Sequence, residues 1–165
     1  MPQRQPRIRR IAPGQYELRI PRAHREVLRS LPAQLRSVLD SDHPGLRRFF
    51  PPAYPDDPVR TAEYDAMVRA ELLAEKQKSL EIMEKTIDAD RLDAELLGAW
   101  LSALNDLRLF LGTSLDVTEE TYEQPIRQDD PNAHALTIFA YLGWLEELVV
   151  EAMAGDLPEL RATEP

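Results

Sequence analysis

The stretch DAELLGAWLSALNDLRLFLGTSLDVTEE, residues 93–120, decides the fold class. Asp93 stands just before the first apolar residues and has the chemistry of a helix N-cap. At 100° per residue, Leu97, Trp100, Leu104, Leu107 and Leu111 fall on one arc, flanked by Leu96, Ala103 and Phe110. Ser102, Asn105, Asp106 and Leu109 take the opposite side. So broad an apolar arc predicts the most buried helix of the molecule, with Gly112 as its stop and Trp100 in the core. Arg108 falls inside the arc. A buried guanidinium without a partner is costly, so it must either reach the rim or meet a carboxylate.

Working outward toward the amino terminus, Asp57-Pro58 is a cap followed by a proline suited to a first helical turn. The helix predicted there runs from about Val59 to Thr86, with Tyr64, Val68, Leu72, Leu80 and Met83 facing inward. It lacks the sustained heptads of a coiled coil. Residues 41–58 are rich in proline, which predicts a single helical turn near Gly45–Phe49, with Phe49, Phe50 and Tyr54 lying on the core. Val27, Leu28, Leu31, Leu35, Val38 and Leu39 mark another helix that begins at Pro21 and kinks at Pro32. Residues 7–20 place two short segments around Pro13-Gly14, the signature of a β-hairpin.

Toward the carboxyl terminus, Thr113–Glu120 reads as a turn and a short helix, with Asp116 and Glu119 at capping-box spacing. An acidic loop follows. The last helix, Asn132–Ala154, buries Ile138, Tyr141, Leu142, Leu145, Leu148, Val149 and Ala152, carries Trp144 at its edge, and turns Glu146, Glu147 and Glu151 outward. Gly155 closes it. The reading is a mainly α single domain over residues 1–155: a bundle of about four to five helices with an N-terminal β-hairpin at about 7–20. Residues 156–165 are expected to form a flexible tail.

At 165 residues the chain fits one domain with a real core. A hydrophobic content of 43% is too rich for a disordered chain. With no cysteine, disulfides, thiol catalysis and cysteine-ligated zinc are excluded. The basic start MPQRQPRIRRIAPG has no apolar core of a secretory signal. No apolar run is expected to reach the ~20 residues of a membrane span, so the chain reads as cytoplasmic, without a membrane partner. The charge is lopsided: residues 1–50 carry +7 and residues 51–165 carry −16, together −9. Nearly all of the positive charge is arginine, which favours bidentate carboxylate or phosphate partners. One outcome is that the basic front packs against the acidic remainder.

No chemistry-bearing constellation is visible. His24, His43 and His134 stand apart, without metal-ligand spacing. The adjacent carboxylates Asp56-Asp57, Glu119-Glu120 and Asp129-Asp130 lie at helix starts, where they satisfy orphan amides. There is neither a nucleophile elbow nor a glycine-rich phosphate loop. Catalytic, cofactor and metal residues are therefore expected to be absent, and the chain is not expected to be an enzyme. Binding is the remaining class. Arg7, Arg9, Arg10, Arg22, Arg25 and Arg29 are candidate contacts for an acidic protein or, second, for nucleic acid; Arg4, Arg19, Arg36, Arg47 and Arg48 add to the same footprint. The apolar circumference of the last helix also makes a homodimer one reading.

Three runs, LRRFFPPAYPDDP, AWLSALNDLRLFLGTSLDVTEE and ALTIFAYLGWLEELVVEAM, resemble an actinobacterial family of small helical proteins. That family carries a domain of unknown function and is typically encoded beside the Clp protease adaptor. Some members are described as oxidative-stress transcriptional regulators that act with an alternative sigma factor through a cysteine pair. The resemblance spans nearly the whole chain and implies a non-enzymatic regulatory or interaction protein, with no catalytic residues to transfer. This sequence departs from it at Pro32 and in having no cysteine, so the cysteine-based sensing does not carry over.

Overall fold

The computed structural model describes residues 5–50 and 54–157. The arc of 93–120 becomes helix α3, Ala94–Ser114. Asp93 caps it, its carboxylate accepting from the Leu96 N–H at 2.8 Å. Leu97, Trp100, Ala103 and Leu104 have no exposed surface, and burial of each large side chain contributes about 1.5–3 kcal/mol. The Trp100 Nε1–H donates to Thr86 Oγ1 at 2.7 Å, so the indole enters the core with its polar atom satisfied. Gly112 does not stop the helix. It lets α3 approach its neighbour, since a Cβ there would lie 2.9 Å from the Phe139 ring.

Helix α3 packs between α2, Pro58–Lys85, and α5, Ala133–Ala154, while α1, Arg22–Val38, lies on α2 and touches α3. A 3₁₀ turn at Pro44–Leu46 sits on α3, and α4 is the short helix Glu119–Glu123. The predicted hairpin is present as β1, Arg7–Ala12, and β2, Gln15–Arg19, joined through Gly14 at φ +66°. A third strand joins it. Residues of the segment between α2 and α3 form β3, Arg91–Asp93, antiparallel to β2, in the order β1-β2-β3. Three residues are too few to show a period of two, so sequence reads them as a linker. Ile8, Tyr16, Leu18 and Leu92 form the buried side of the sheet, which fits the need of a hairpin for more partners.

Several expectations are corrected. Pro21 is the cap residue of α1 rather than its first helical one, and the helix runs unbroken through the buried Pro32, as the continuous phase of its apolar stripe favours over a break. On α2, Leu80 and Met83 are buried as expected, but Tyr64 and Leu72 are exposed; the first half of this helix extends past the core. Tyr54 is exposed too, covered on one ring face by Arg60 at 4.2 Å. The cap of α4 is Thr118, not Asp116; Asp116 has φ +51° and pairs with Arg47 at 2.8 Å. Asp106, placed on the polar side of α3, is 5% exposed. Lys76 of α2 reaches across the Phe49 ring and donates to Asp106 Oδ1 at 2.9 Å. Burial nevertheless pushes the Asp106 carboxyl above the usual carboxylate range, with Lys76 opposing the shift.

Helix α5 is long and apolar enough, by length and composition, to cross a membrane, so one run does reach that length. Its Leu142, Leu145, Val149 and Ala152 are packed into the core. Ile138, Tyr141 and Leu148 are half-buried, Trp144 lies at the edge against Tyr141, and Glu146 turns inward instead of outward. Asp156, expected in the flexible tail, is held by Arg10, Tyr16 and Gly14; the rest of that expectation, residues 158–165, lies outside the described residues.

Candidate functional site: the outer face of the sheet

Strand alternation sorts the amino-terminal arginines. Ile8 and Arg10 share the inner side of β1, while Arg7 and Arg9 point out. On β2, Tyr16 and Leu18 are inward, and Glu17 and Arg19 outward. On β3, Leu92 is inward and Arg91 outward. In register, Arg7 stands opposite Arg19, Arg9 opposite Glu17, and Glu17 opposite Arg91. One outer face therefore holds Arg7, Arg9, Arg19 and Arg91 around a single Glu17, with Asp93 at the end of β3.

Glu17 Oε1 accepts from Arg9 Nη2 at 3.1 Å and from Arg19 Nε at 2.9 Å. One carboxylate is thus shared by two guanidinium groups, while Arg7 and Arg91 make no ion pair among the described residues. Arg7 facing Arg19 is a like-charge cross-strand pair, which is destabilising in isolation and relieved by an anion. Beside it opens a hollow of about 950 Å³, lined by Pro6, Arg7, Arg19, Ile20, Pro21 and Asp90 among others. Guanidinium forks at an open rim can take carboxylates or phosphates; nothing here supplies a nucleophile or a poised acid–base pair.

Most of the remaining candidate arginines hold parts of the molecule together. Arg25 is 8% exposed. Its Nε donates to Ile20 O at 3.0 Å, Nη1 to Ile87 O at 2.9 Å and Ala89 O at 3.0 Å, and Nη2 to Asp90 Oδ1 at 3.0 Å. It clasps the entry of α1 to the α2–β3 connection. Arg29 forms a fork on Asp88 at 2.7 and 2.9 Å; Asp88 is held below the usual carboxylate range chiefly by that contact. Arg10 joins Tyr16 and the Gly14 N–H on Asp156. The Tyr16 hydrogen bond, opposed by burial and helped by Arg10 and Gly14, lowers the Asp156 carboxyl to about 2. Burial, then the bond to Asp156, raises Tyr16 to about 12. Arg36 pairs with Glu84. Arg47 pairs with Asp116 at the surface, while Arg22 and Arg48 are exposed without an ion pair among the described residues; Arg4 lies outside them.

Arg108 meets the expected carboxylate. Its Nη1 lies 3.6 Å from Glu146 Oε2, and its guanidinium lies 5.3 Å from the Phe139 ring centre. Gly143 makes room, since a Cβ there would sit 3.1 Å from Arg108 Nε. Arg91 was not in the sequence-derived set, because β3 is too short to announce itself. Arg25 could have been placed by period alone: Arg25, Leu28, Pro32, Leu35 and Leu39 recur at spacings of three and four, on the buried face of α1.

Comparison with known proteins returns one family. The family model described as "Domain of unknown function (DUF2017)" matches residues 6–153, which takes in the sheet, every helix from α1 to α4 and all but the last residue of α5. No curated protein and no solved structure matches the chain. With a family match over almost its full length, the chain belongs to the DUF2017 family.

Proposed function

We propose that this chain is a non-enzymatic protein-interaction module, acting in the cytoplasm as a regulator, whose arginine-bearing sheet face docks an acidic segment of a protein partner. The supporting observation is the crowding of Arg7, Arg9, Arg19 and Arg91 around one glutamate on a protein of net charge −9. Such a face concentrates acidic partners, while the remaining surface repels long polyanions. The resemblance described above suggests a transcription co-regulator as the setting, without a cysteine pair.

Direct binding of DNA through the arginine-rich amino-terminal region is the second reading. The six-residue β1 extends roughly 20 Å, over which a duplex presents about a dozen phosphates. Four arginines beside a strongly acidic body match a short carboxylate-rich peptide better.

The test is fluorescence anisotropy with a labelled Asp/Glu-rich peptide and with a duplex DNA, each titrated with salt. The proposal expects peptide binding that is lost in R7E/R19E/R91E while the thermal melt is retained. A steep salt slope with DNA and no peptide binding would move the conclusion to the second reading; no binding of either at low salt would reject both.

A further inference from the structure

A second basic hollow lies away from the sheet, where α3 and α5 meet the loop after the 3₁₀ turn. Its volume is about 190 Å³, room for roughly six waters at their liquid volume. Arg48, Asn105, Arg108 and Thr113 supply its polar lining; Leu109, Val117 and Phe139 supply apolar walls. We infer that this hollow binds a small organic monocarboxylate, its carboxylate between Arg48 and Arg108 and its apolar body against Phe139.

Three observations converge. Arg48 is exposed at the rim and makes no ion pair among the described residues, although its neighbour Arg47 finds Asp116. Thr113 is 1% exposed, and its hydroxyl has no hydrogen-bond partner among the described residues, a condition that buried polar groups rarely keep. The Arg108 guanidinium is oriented in advance by Phe139 and by the close approach of Gly143. A guanidinium held this way loses little freedom on accepting a bidentate carboxylate.

Charge selects the class. Arg48 and Arg108 bring two positive charges, and Glu146, which does not line the hollow, offsets one through Arg108. The balance suits a single negative charge better than a phosphate dianion. The apolar walls suit a short hydrocarbon body, which inorganic phosphate lacks. The hollow is independent of the sheet face, so this inference stands or falls apart from the interaction proposed there.

The experiment is titration of the full chain with benzoate, hexanoate and inorganic phosphate at matched ionic strength, followed by calorimetry and by amide chemical shifts. Benzoate or hexanoate is expected to bind, with shifts centred on Asn105–Thr113 and Phe139, and to bind roughly tenfold more weakly or worse to Arg48→Ala, from loss of a charged hydrogen bond. Arg22→Ala, which removes an exposed arginine elsewhere, is expected to leave the affinity unchanged. The inference is overturned by no binding of either carboxylate, by equal binding to Arg48→Ala, or by an equal loss in Arg22→Ala. Phosphate binding as tightly as benzoate would overturn the monocarboxylate assignment.

Discussion

Arg7 and Arg25 come from the same arginine-rich front of the chain and end in opposite circumstances. Arg7 projects from an edge strand opposite another arginine, without an ion pair among the described residues. Arg25 is enclosed, with its guanidinium on four backbone carbonyls and Asp90. The difference lies in the element each occupies. A strand sends alternate residues to opposite faces, and one face of this sheet is covered by helices. A helix buries whatever falls on its docking stripe, including an arginine. Apart from Glu26 beside Arg29, the acids that these arginines meet, Glu84, Asp88, Asp90 and Asp156, belong to the acidic remainder of the chain. Part of the basic front is therefore a fastening for the fold, and what is left over on the sheet can serve a partner.

The largest expected effect breaks that comparison directly. Arg25→Met removes the donors of several buried carbonyls at once, and unsatisfied buried acceptors cost about 1–3 kcal/mol each before partial rescue by water. A loss of roughly 3–5 kcal/mol in urea unfolding is expected. The paired change Arg7→Ala with Arg19→Ala removes two exposed charges that face each other and should leave stability within about 0.5 kcal/mol of the parent, or raise it slightly. Equal losses in both proteins would show that the two sets of arginines are not divided as described.

Much of the architecture could be read from residue order. The arc of α3, its Asp93 cap, the burial of Trp100 and the hairpin at Gly14 all follow from local chemistry, because period and cap residues act over one or two turns. Strand β3 does not, since its pairing with β2 is set by the distant hairpin and not by its own three residues. The first half of α2 misled for the opposite reason. Tyr64 and Leu72 are apolar at helical spacing, but nothing in sequence marks where the neighbouring elements end, and this half runs beyond them. For the candidate face, Arg7 and Arg9 were visible as charge, whereas their gathering with Arg19 and Arg91 depends on register across three strands.

Arg108 sharpens the comparison, because it is intermediate: half-buried, with a carboxylate at 3.6 Å and an aromatic face beneath it. Arg108→Met keeps the apolar stem but leaves Glu146, with 18% of its side chain exposed, without that cation. A loss of about 1–2 kcal/mol is expected, less than for Arg25 because the site is partly screened by water. The double change Arg108→Met with Glu146→Leu should recover most of it. Thermal melts in which the single change has no effect would show that the guanidinium only lies along the surface.

The smallest effect concerns Arg10, the strand neighbour of Arg9 that alternation turns to the other side. Its partner Asp156 also accepts from Tyr16 and from the Gly14 amide, and its carboxyl titrates near 2 when folded, against about 3.9 in an unfolded chain. A carboxylate whose folded value is depressed adds stability that is complete above the unfolded value and fades as pH falls toward the folded one. The parent should therefore be more stable than Asp156→Asn at neutral pH. That advantage should hold down to about pH 4, then shrink steadily toward pH 2, as both proteins are unfolded in urea at a series of pH values. A difference that does not change with pH would mean that Asp156 contributes through packing of the α5 end alone. In that case the inward turn of Arg10 would be a matter of strand geometry and not of charge.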